Sequence, residues 1–591
     1  MRGGLPPILL ACVWSLGIAL LVVRYGFGPK GAWGDILDLA AMLLVLACLA
    51  DRILLLRHAP RIWPVLRSRK YEFVLLALLV AALGGVLVGD EWVQDLMRHL
   101  ALDSRLRLGI EACELFLLAS IVVQSLRYQQ NIFVRGLRPE WILIGSFALL
   151  ILIGSLLLLL PRCASDPQKP LAPVDAVFTS TSAVCVTGLV VRDTGKDFTV
   201  LGQFIILLLF QTGGLGIITF VAFIAVTSSG SLPLANSVAL RNLLSATSLA
   251  ELKRHVRLIV AFTLLVEFAG AAVIFSSLPA NDVPVRAACW SLFHSVSAFC
   301  NAGFALQADS LVGYRDNVGI CLAVMALIIL GGLGFLVLND VARVQVSRLP
   351  LVRMIPAVRR YNRRLPVQRL SLQSRLSFVV TALLLVVGFV GFWILEGSTG
   401  EVGETWGARF WAAAFQSVTS RTAGFNTVDI GHLQLTTLLL VMALMVIGAC
   451  PVSTGGGIKT VTFGVLVLAL RALLLGRDRV EVFGRALPQK VVFATLSVTL
   501  LYVAAGWAGT FALAFFDPQA PLHAQSFEVI SALSTVGLST GITAQLSTGS
   551  KLVLCLLMFV GRVGPLSLVL CVFRSGSSVP YRFPDENVVV G

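Results

Sequence analysis

The sequence is poor in charge. Only 13% of its 591 residues are Asp, Glu, Lys or Arg, whereas 57% are hydrophobic. Soluble globular domains carry about 25% charged residues, so this balance excludes an ordinary soluble domain. Apolar stretches of about 20 residues, the length that crosses a bilayer as a helix, recur along the chain. The sequence therefore predicts an all-α, polytopic membrane protein.

Arrangements that carry enzyme chemistry are also missing. The eleven cysteines form no CxxC pair, which argues against a disulfide framework or a zinc site. The six histidines are scattered, and neither a metal-binding cluster nor a nucleophile elbow stands in the apolar spans. Ile458 precedes Lys459 where a phosphate-binding loop has glycine. We therefore expect neither an enzyme nor nucleotide chemistry within this chain.

Four short segments repeat one pattern that ends in glycine followed by Leu or Phe. These glycine segments, first to fourth, are residues 178–189, 293–304, 414–425 and 527–538. Their glycines, Gly188, Gly303, Gly424 and Gly537, recur at intervals of roughly 115 residues, a period of whole transmembrane units. Six residues before the glycine stand Ser182, Ser297, Val418 and Ser531, and five before it stand Ala183, Ala298, Thr419 and Ala532. Four such units around one axis would form a pore.

Each glycine segment is too short to cross a bilayer and lies between two apolar spans, so we expect it to be re-entrant. In the first repeat the predicted spans are about 141–160 and 200–226, and in the second about 258–277 and 318–338. Irregular backbone at membrane depth is tolerated only when it is buried in protein or lines a wet cavity. A half-helix from Asp175 to Val184, then an extended strand, meets that condition if its carbonyls bind cations.

The residues that end at each glycine are the predicted selectivity filter, in which backbone carbonyls near the four glycines bind dehydrated cations. They are Val184, Cys185, Val186, Thr187 and Gly188; Phe299, Cys300, Asn301, Ala302 and Gly303; Ser420, Arg421, Thr422, Ala423 and Gly424; and Leu533, Ser534, Thr535, Val536 and Gly537. Glycine permits positive φ and a close approach of the strands. One such glycine alone is typical of helix packing, but four in matched register favour a functional role.

A second glycine-rich motif follows each segment in the next span, at residues 211–217, 330–335, 453–460 and 561–566. Its small residues weaken the helix and let neighbouring helices approach. The third copy is the unusual one, because Pro451 removes a backbone donor and three consecutive glycines disfavour helix. We expect a break at residues 448–459, the 448–459 loop, and a gate there. Its predicted gating residues are Gly448, Pro451, Ser453, Thr454, Gly455, Gly456, Gly457 and Lys459.

Two arginines in apolar surroundings are candidate functional residues. A charge in a spanning helix is costly and turns toward water or a partner, so Arg562 is expected to face the pore below the filter and repel cations. A structural ion pair or snorkelling is the alternative. Arg421, within the third glycine segment, is expected to donate hydrogen bonds that support the filter.

The loop charges predict which side of the membrane each loop occupies. Residues 340–375 carry nine arginines and one acid, so this loop is expected to be cytoplasmic. The net charge of +15 follows from the same bias, and nucleic acid is not an expected partner. Segments near the four glycines are acidic and are expected outside, where they would concentrate cations. Their acids include Asp166, Asp175, Asp193, Asp197, Asp309, Asp316, Glu401, Glu404, Asp429 and Asp517.

With the four glycine segments, the interrupted third span and Arg562, the chain resembles the TrkH/KtrB superfamily of bacterial potassium-translocating subunits. The matching pieces are SAVCVTGL, SAFCNAGF, SRTAGFNT, SALSTVGLS, STGGGIKT, GRVGPL and the tail 581–591. They occur in the family's order over roughly residues 140–591. The resemblance implies four membrane-pore-membrane repeats with pseudo-fourfold symmetry around a central pore, with the 448–459 loop as the gate and Arg562 as the pore constriction.

The resemblance further implies a homodimer in membrane lipid, with one pore per protomer. It also implies a cytosolic regulatory subunit of the TrkA/KtrA type, which would bind the nucleotide, NAD or ATP/ADP. No cofactor is expected in this chain, and K⁺ is the transported ion. Val452 departs from the family, because another small residue is expected there in the 448–459 loop.

The predicted organisation has five parts. Residues 1–135 hold accessory helices near 7–24, 36–56, 72–89 and 109–126, and repeats follow at 136–230, 231–345, 346–480 and 481–591, the last with a cytoplasmic tail. Four helices before a pore invite comparison with a voltage sensor, but Arg105, Arg107 and Arg127 form no ladder of gating charges. An accessory packing or assembly block is the preferred interpretation. Both termini are then expected in the cytoplasm.

These observations predict potassium uptake across a bacterial inner membrane through a selective, gated pore, driven by the electrochemical gradient. Relatives with serine at the first filter glycine tend to favour sodium, whereas this chain has Gly188. One alternative is a sodium-conducting or poorly selective pore of the same fold. Another is a secondary transporter coupled to protons or sodium, although the repeats are parallel and intramembrane carboxylates are few.

Overall fold

The structure, a computed structural model, describes residues 7–27, 32–57, 73–77, 79–80, 112–114, 116–117, 120, 139–166, 171–216, 249–279, 283–348, 370–396 and 405–565. This part of the chain is mostly helical, with almost no β-strand. Its helices are α1 (Pro7–Phe27), α2 (Ala32–Arg57), α3 (Pro139–Leu158), α4 (Pro173–Val184), α5 (Val200–Gly214), α6 (Leu249–Ser277), α7 (Pro284–Cys300), α8 (Val318–Leu333), α9 (Phe335–Arg348), α10 (Leu372–Glu396), α11 (Trp406–Thr419), α12 (Leu435–Val446), α13 (Thr460–Leu474), α14 (Gln489–Phe516), α15 (Leu522–Ser534) and α16 (Thr548–Val563).

Several helices are built for a bilayer rather than for water. Within the described ranges, four are long and apolar enough to cross a membrane, namely stretches of α2, α6, α10 and α14. They expose large apolar side chains on their outer faces: Leu265 is 67% exposed, Ile394 68% and Phe511 76%. Lipid, not water, is the solvent that favours such a surface.

The short helices begin where the sequence supplies a start signal. Proline, whose missing N–H costs nothing in the first turn, opens α4 and α7 at Pro173 and Pro284. The spans that follow the first, second and fourth glycine segments begin with a capping side chain, which accepts a hydrogen bond from a backbone N–H of the first turn. The caps are Thr199 for α5, Asn317 for α8 and Ser547 for α16.

The buried core is a ring of four hydrophobic clusters, each of which joins two successive repeats. Phe210 shows this between the first and second, because its ring meets Phe293 edge-on at 5.5 Å between centroids and stacks on Phe304 at 5.9 Å. Another cluster joins the second to the third. A further one joins α11 and the chain after the third segment to the fourth segment. In the last cluster Phe178 and Leu189 of the first segment pack with Leu533 of the fourth. The ring therefore closes on itself.

The spans after the glycine segments are shorter than predicted. We expected one continuous span over 200–226 and another over 318–338, but α5 ends at Gly214 and α8 at Leu333. After α8 the chain turns by 97° into α9. The second glycine-rich motif causes the breaks, since Gly216, Gly334 and Gly564 all adopt positive φ, which a continuing helix does not allow.

The N-terminal part has a core of its own, formed by α1, α2 and fragments of the following chain, including Leu20, Val45 and Leu117. Arg24 pairs with Asp38 and, at 2.6 Å, with Glu114. Most of the two further helices expected at 72–89 and 109–126 lies outside the described residues, as does the tail 581–591. A small antiparallel hairpin, β1 (Glu481–Val482) and β2 (Arg485–Ala486), connects α13 to α14.

Candidate functional site

The four segment glycines lie side by side in a closed ring. A Cβ atom added to Gly188 would lie 3.0 Å from the Cα of Gly303, and one added to Gly303 would lie 3.0 Å from the Cα of Gly424. In the same way, a Cβ added to Gly424 would lie 3.2 Å from the Cα of Gly537, and one added to Gly537 would lie 3.1 Å from the Cα of Gly188. Any side chain at these positions would overlap a neighbouring strand.

The backbone around the ring has the same conformation in all four segments. Each glycine adopts positive φ, between 70° and 92°. The residue two before it is also left-handed, although none of the four is glycine: Val186 (φ 59°), Asn301 (58°), Thr422 (68°) and Thr535 (52°). Left-handed φ values interrupt the β-strand pattern, in which successive side chains point to opposite faces. Such strain persists only where the surrounding fold imposes it, and it clusters at functional sites.

Buried hydroxyl groups fasten each strand to its own half-helix. The Oγ atoms of Ser182 and Ser531 accept hydrogen bonds from the N–H groups of Gly188 and Gly537, both at 3.1 Å. The Oγ of Ser297 instead donates to the carbonyl oxygen of Phe304 at 2.8 Å. These bonds fix the position of the glycine or of its next neighbour in three segments.

In the third segment the fastening hydroxyl belongs to Thr419, which donates to the carbonyl oxygen of Phe425 at 2.7 Å. The carbonyl of Thr419 accepts from the N–H of Ala423 at 3.0 Å, so this turn is one residue shorter than that between Ser182 and Thr187. By its distance in sequence from the segment glycine, Val418 corresponds to the serines of the other three segments. The structure places Thr419 there instead, because α11 ends earlier relative to Gly424 than α4 does relative to Gly188.

The second glycine-rich motif supports the ring from below. In three repeats one of its glycines lies against the carbonyl oxygen of the residue four before the segment glycine, with no room for a Cβ. The pairs are Gly213 with Val184, Gly331 with Phe299, and Gly561 with Leu533. This close approach lets the following span touch the end of the half-helix.

The 448–459 loop separates α12 from α13 and lies against the ring. Its ends are joined, because the Gly448 N–H donates to the carbonyl of Ile458 at 2.8 Å. The Thr454 hydroxyl donates to the carbonyl of Phe299 at 3.3 Å. Added Cβ atoms on Gly455 and Gly456 would overlap the hydroxyl groups of Thr422 and Thr535. These two hydroxyls are buried and have no hydrogen-bond partner among the residues that the structure describes. The loop thus covers one side of the ring.

Two arginines bind the loop to its surroundings, and a lysine ties the loop internally. Arg562 donates hydrogen bonds to the carbonyl oxygens of Thr454 and Gly213. Lys459 donates to the carbonyl of Gly455 at 2.5 Å. Arg421, expected to support the filter, points away from it: its guanidinium donates to Gly448 at 3.0 Å and to Thr381 at 3.4 Å. The third glycine segment is therefore coupled to the loop.

Two buried carboxylates behind the ring were not among the predicted site residues. Glu267 accepts from the amide of Gln211 at 3.1 Å, and the Cys300 thiol contacts the same Gln211 at 3.1 Å. Glu528 accepts from the hydroxyl of Ser539 at 2.6 Å and from the N–H of Thr540 at 3.0 Å. A carboxylate in an apolar segment is a signal of function that the sequence did carry.

One of the acids expected to attract cations is instead neutralised. Asp175, in the first turn of α4, pairs with Arg192 and with Lys551 of α16, each at 3.1 Å. The second pair joins the first repeat to the fourth, next to the hydrophobic cluster that closes the ring. Asp175 thus links α4 to α16, while Glu401 and Glu404 lie outside the described residues.

Comparison with known proteins agrees with this architecture. The TrkH family, described as a cation transport protein, matches residues 112–580 of the chain. The chain belongs to the TrkH family. The family match begins inside the fourth predicted N-terminal helix and includes all four glycine segments. TrkH-family proteins are membrane transport proteins, so the predictions of family, all-α membrane fold and a non-enzymatic chain are confirmed.

Individual members of the TrkH family are similar over most of the chain. The Ktr system potassium uptake protein B of Bacillus subtilis is 35% identical over 78% of this chain and 98% of its own length. The potassium/sodium uptake protein NtpJ of Enterococcus hirae is 33% identical over 77% and 98%. The solved structure of the potassium transporter TrkH from Vibrio parahaemolyticus has the same fold, with a TM-score of 0.58, 21% identity, and coverage of 86% of this chain and 98% of that one.

Proposed function

We propose that the chain is a channel-like pore through which potassium enters a bacterial cell across the inner membrane. The ring of glycines is its selectivity filter, and the ion moves down its electrochemical gradient. Carbonyl oxygens of residues 184–188, 299–303, 420–424 and 533–537 would replace the water shell of the ion. The four repeats, at 136–230, 231–345, 346–480 and 481–591, would surround the pore, and residues 1–135 would form an accessory block.

One observation carries this proposal. Gly188, Gly303, Gly424 and Gly537 meet in a ring in which each strand has the same left-handed backbone two residues before the glycine. Helix packing alone does not require that conformation, since glycines such as Gly213 pack closely within ordinary helix. Four equivalent irregular strands buried at membrane depth are the arrangement expected of backbone that binds ions.

The names of the relatives support potassium as the ion without excluding sodium. Proteins similar to this chain are named for potassium uptake, and one is named for potassium and sodium uptake. Backbone carbonyl rings discriminate between K⁺ and Na⁺ by fine geometry. Sodium conduction, or poor discrimination by the same pore, is therefore the second candidate function.

Flux into proteoliposomes made with the purified full-length chain tests the function and the ion together. We expect uptake under an inside-negative potential with K⁺ as the only cation and much slower uptake with Na⁺ alone. Equal rates of K⁺ and Na⁺ uptake would show that the function is unselective cation uptake. No flux of either ion without a proton or sodium gradient would favour a coupled transporter. Restored growth at low potassium of a bacterium lacking potassium uptake would extend the result to the cell.

We also propose that the 448–459 loop is the gate and that Arg562 controls it. The loop covers the ring from one side, and the bonds from Arg562 to Thr454 and Gly213 hold it in place. A cytosolic nucleotide-binding subunit would move the loop, and the chain would work as a homodimer with both termini in the cytoplasm. Co-purification with a candidate subunit, followed by flux with and without nucleotide, tests the regulation. Equal flux with and without the subunit would refute the proposed regulation.

A further inference from the structure

An apolar groove lies on the surface beside the bend between α8 and α9. Its walls are Leu258, Ile259 and Phe262 of α6 and Phe335, Leu336, Leu338, Asn339 and Ala342 of α9. The cavity measures about 170 Å³, less than the 300 to 1,000 Å³ of typical small-molecule pockets. Its size and its nearly uniform apolar lining fit a thin hydrocarbon chain better than a polar metabolite.

The groove is at the level where a membrane lipid can enter it. Because α8 belongs to a span and α9 leaves it at 97°, α9 runs close to the membrane plane. Leu258 is 48% exposed at the groove's edge. The arginine-rich stretch that begins within α9 places this end of α8 on the cytoplasmic side. The open side of the groove then faces the inner leaflet.

A basic residue adjoins the groove in the sequence. Arg257 is exposed and directly precedes Leu258 on α6, and the sequence has Lys253 and Arg254 in the preceding turn. Guanidinium groups bind phosphate oxygens, and anionic headgroups attract basic residues at the cytoplasmic surface. We propose that this groove binds one acyl chain of an anionic phospholipid, whose headgroup phosphate pairs with Arg257.

The occupied groove is coupled to the 448–459 loop. Phe335 lines the groove, and its N–H donates to the carbonyl of Val452 in the loop at 3.1 Å. At the bend itself, a Cβ added to Gly334 would lie 2.7 Å from the carbonyl oxygen of Pro451. A lipid that fills the groove holds α9 against α6 and so keeps Phe335 in contact with the loop. Bound lipid therefore biases the position of the loop.

Native mass spectrometry of the full-length protein measures the lipid site directly, by titration with phosphatidylglycerol or phosphatidylcholine. We expect wild type to retain phosphatidylglycerol preferentially. Arg257→Gln should weaken that binding about fivefold, the contribution of one basic residue at an anionic surface. Arg471→Gln is the matched control, because Arg471 is also an exposed arginine on an apolar helix but adjoins none of the residues that line this groove. It should bind like wild type.

Variants that fill the groove provide a second test of the lipid site. Ala342→Trp and Leu258→Trp, on opposite walls, should each displace the tightest-bound phospholipid. The proposal would be overturned if Arg257→Gln and a well-folded groove-filling variant both bound phospholipid as tightly as wild type. A filled variant that keeps its lipid but changes the ratio of monomer to dimer would also overturn it, and would assign the groove to a second copy of the chain.

The effect on the loop rests on the proposed function and is measured separately. Cation flux by wild type should rise when phosphatidylglycerol is added to phosphatidylcholine vesicles, and Arg257→Gln should lose that response. If lipid binding follows expectation but no vesicle shows flux, the transport proposal fails and the lipid site stands. If flux is selective but lipid binding ignores both groove variants, the lipid site fails and the transport proposal stands.

Discussion

The guanidinium of Arg562, on α16 of the last repeat, donates a hydrogen bond to the carbonyl oxygen of Thr454, in the 448–459 loop of the third. The same guanidinium reaches Gly213 at the end of α5 in the first repeat. One side chain thus joins three of the four repeats directly below the ring.

Replacing Arg562 should free the loop. Each hydrogen bond from a charged donor contributes about 1.5 to 3 kcal/mol, so Arg562→Gln should raise potassium flux by at least about tenfold in proteoliposomes. Arg562→Lys keeps the charge but not the two-armed geometry, and should give an intermediate rate. Unchanged or slower flux in a correctly folded Arg562→Gln protein would contradict the role assigned to this contact.

The ring should not tolerate a side chain at Gly188. Its φ of 86° is unfavourable for other residues, and an added Cβ would overlap the carbonyl oxygen of Ala302. Gly188→Ser should lower potassium flux by at least about tenfold and shift the preference toward sodium. Gly145→Ala is the control, since nothing lies within 4 Å of an added Cβ there. Unaltered selectivity in a folded Gly188→Ser protein would favour the coupled-transporter alternative.

The hydroxyl of Thr419, rather than position 418, should stabilise the third segment. Thr419→Val leaves the carbonyl of Phe425 without its partner and should lower the free energy of unfolding by about 1 to 3 kcal/mol. Adding Val418→Thr to Thr419→Val places a hydroxyl one residue earlier, where it cannot replace the lost bond. This double variant should therefore be as unstable as Thr419→Val alone. Chemical unfolding in mixed micelles measures both, and ion preference should decline with Thr419→Val. Equal stability of wild type and Thr419→Val would show that the observed bond is unimportant.

The pair between Asp175 and Lys551 should stabilise closure of the ring. Its atoms are 3.1 Å apart, and the two side chains are 9% and 14% exposed. A double-mutant cycle with Asp175→Asn and Lys551→Met should give a coupling energy between about 0.5 and 3 kcal/mol. The pair between Asp193 and Lys196, where the lysine is 77% exposed, is the comparison and should couple by less than about 1 kcal/mol. Similar coupling in both pairs would remove any special role for Asp175.

Much of the site could be predicted because its signals are local. Glycine register and apolar span length are properties of short stretches, and the structure brings the four glycines together in the order the register gives. The predicted half-helix from Asp175 to Val184 nearly coincides with α4. A charge within an apolar span marked Arg562 as a candidate residue, and the family resemblance added its expected role as the pore constriction.

What could not be predicted depends on contacts between distant parts of the chain. The offset that places Thr419 where Val418 was aligned follows from the earlier end of α11, and its one local signal, a hydroxyl at position 419 instead of 418, acquires meaning only once that end is known. The direction of Arg421 depends on the carbonyl of Gly448, 27 residues later. The breaks after Gly214 and Leu333 were missed because their residues are as apolar as a continuous span. The motif that causes them was recognised, but only its third copy was expected to interrupt a helix.

Contact between Gly537 and Thr187 has a consequence for biosynthesis. The first strand receives its neighbour on this side only after the ribosome has made the last one, some 350 residues later. A nascent chain stopped at any earlier point has an open seam in the ring. Under the proposed function, inserting the final hairpin is the assembly step that completes the filter.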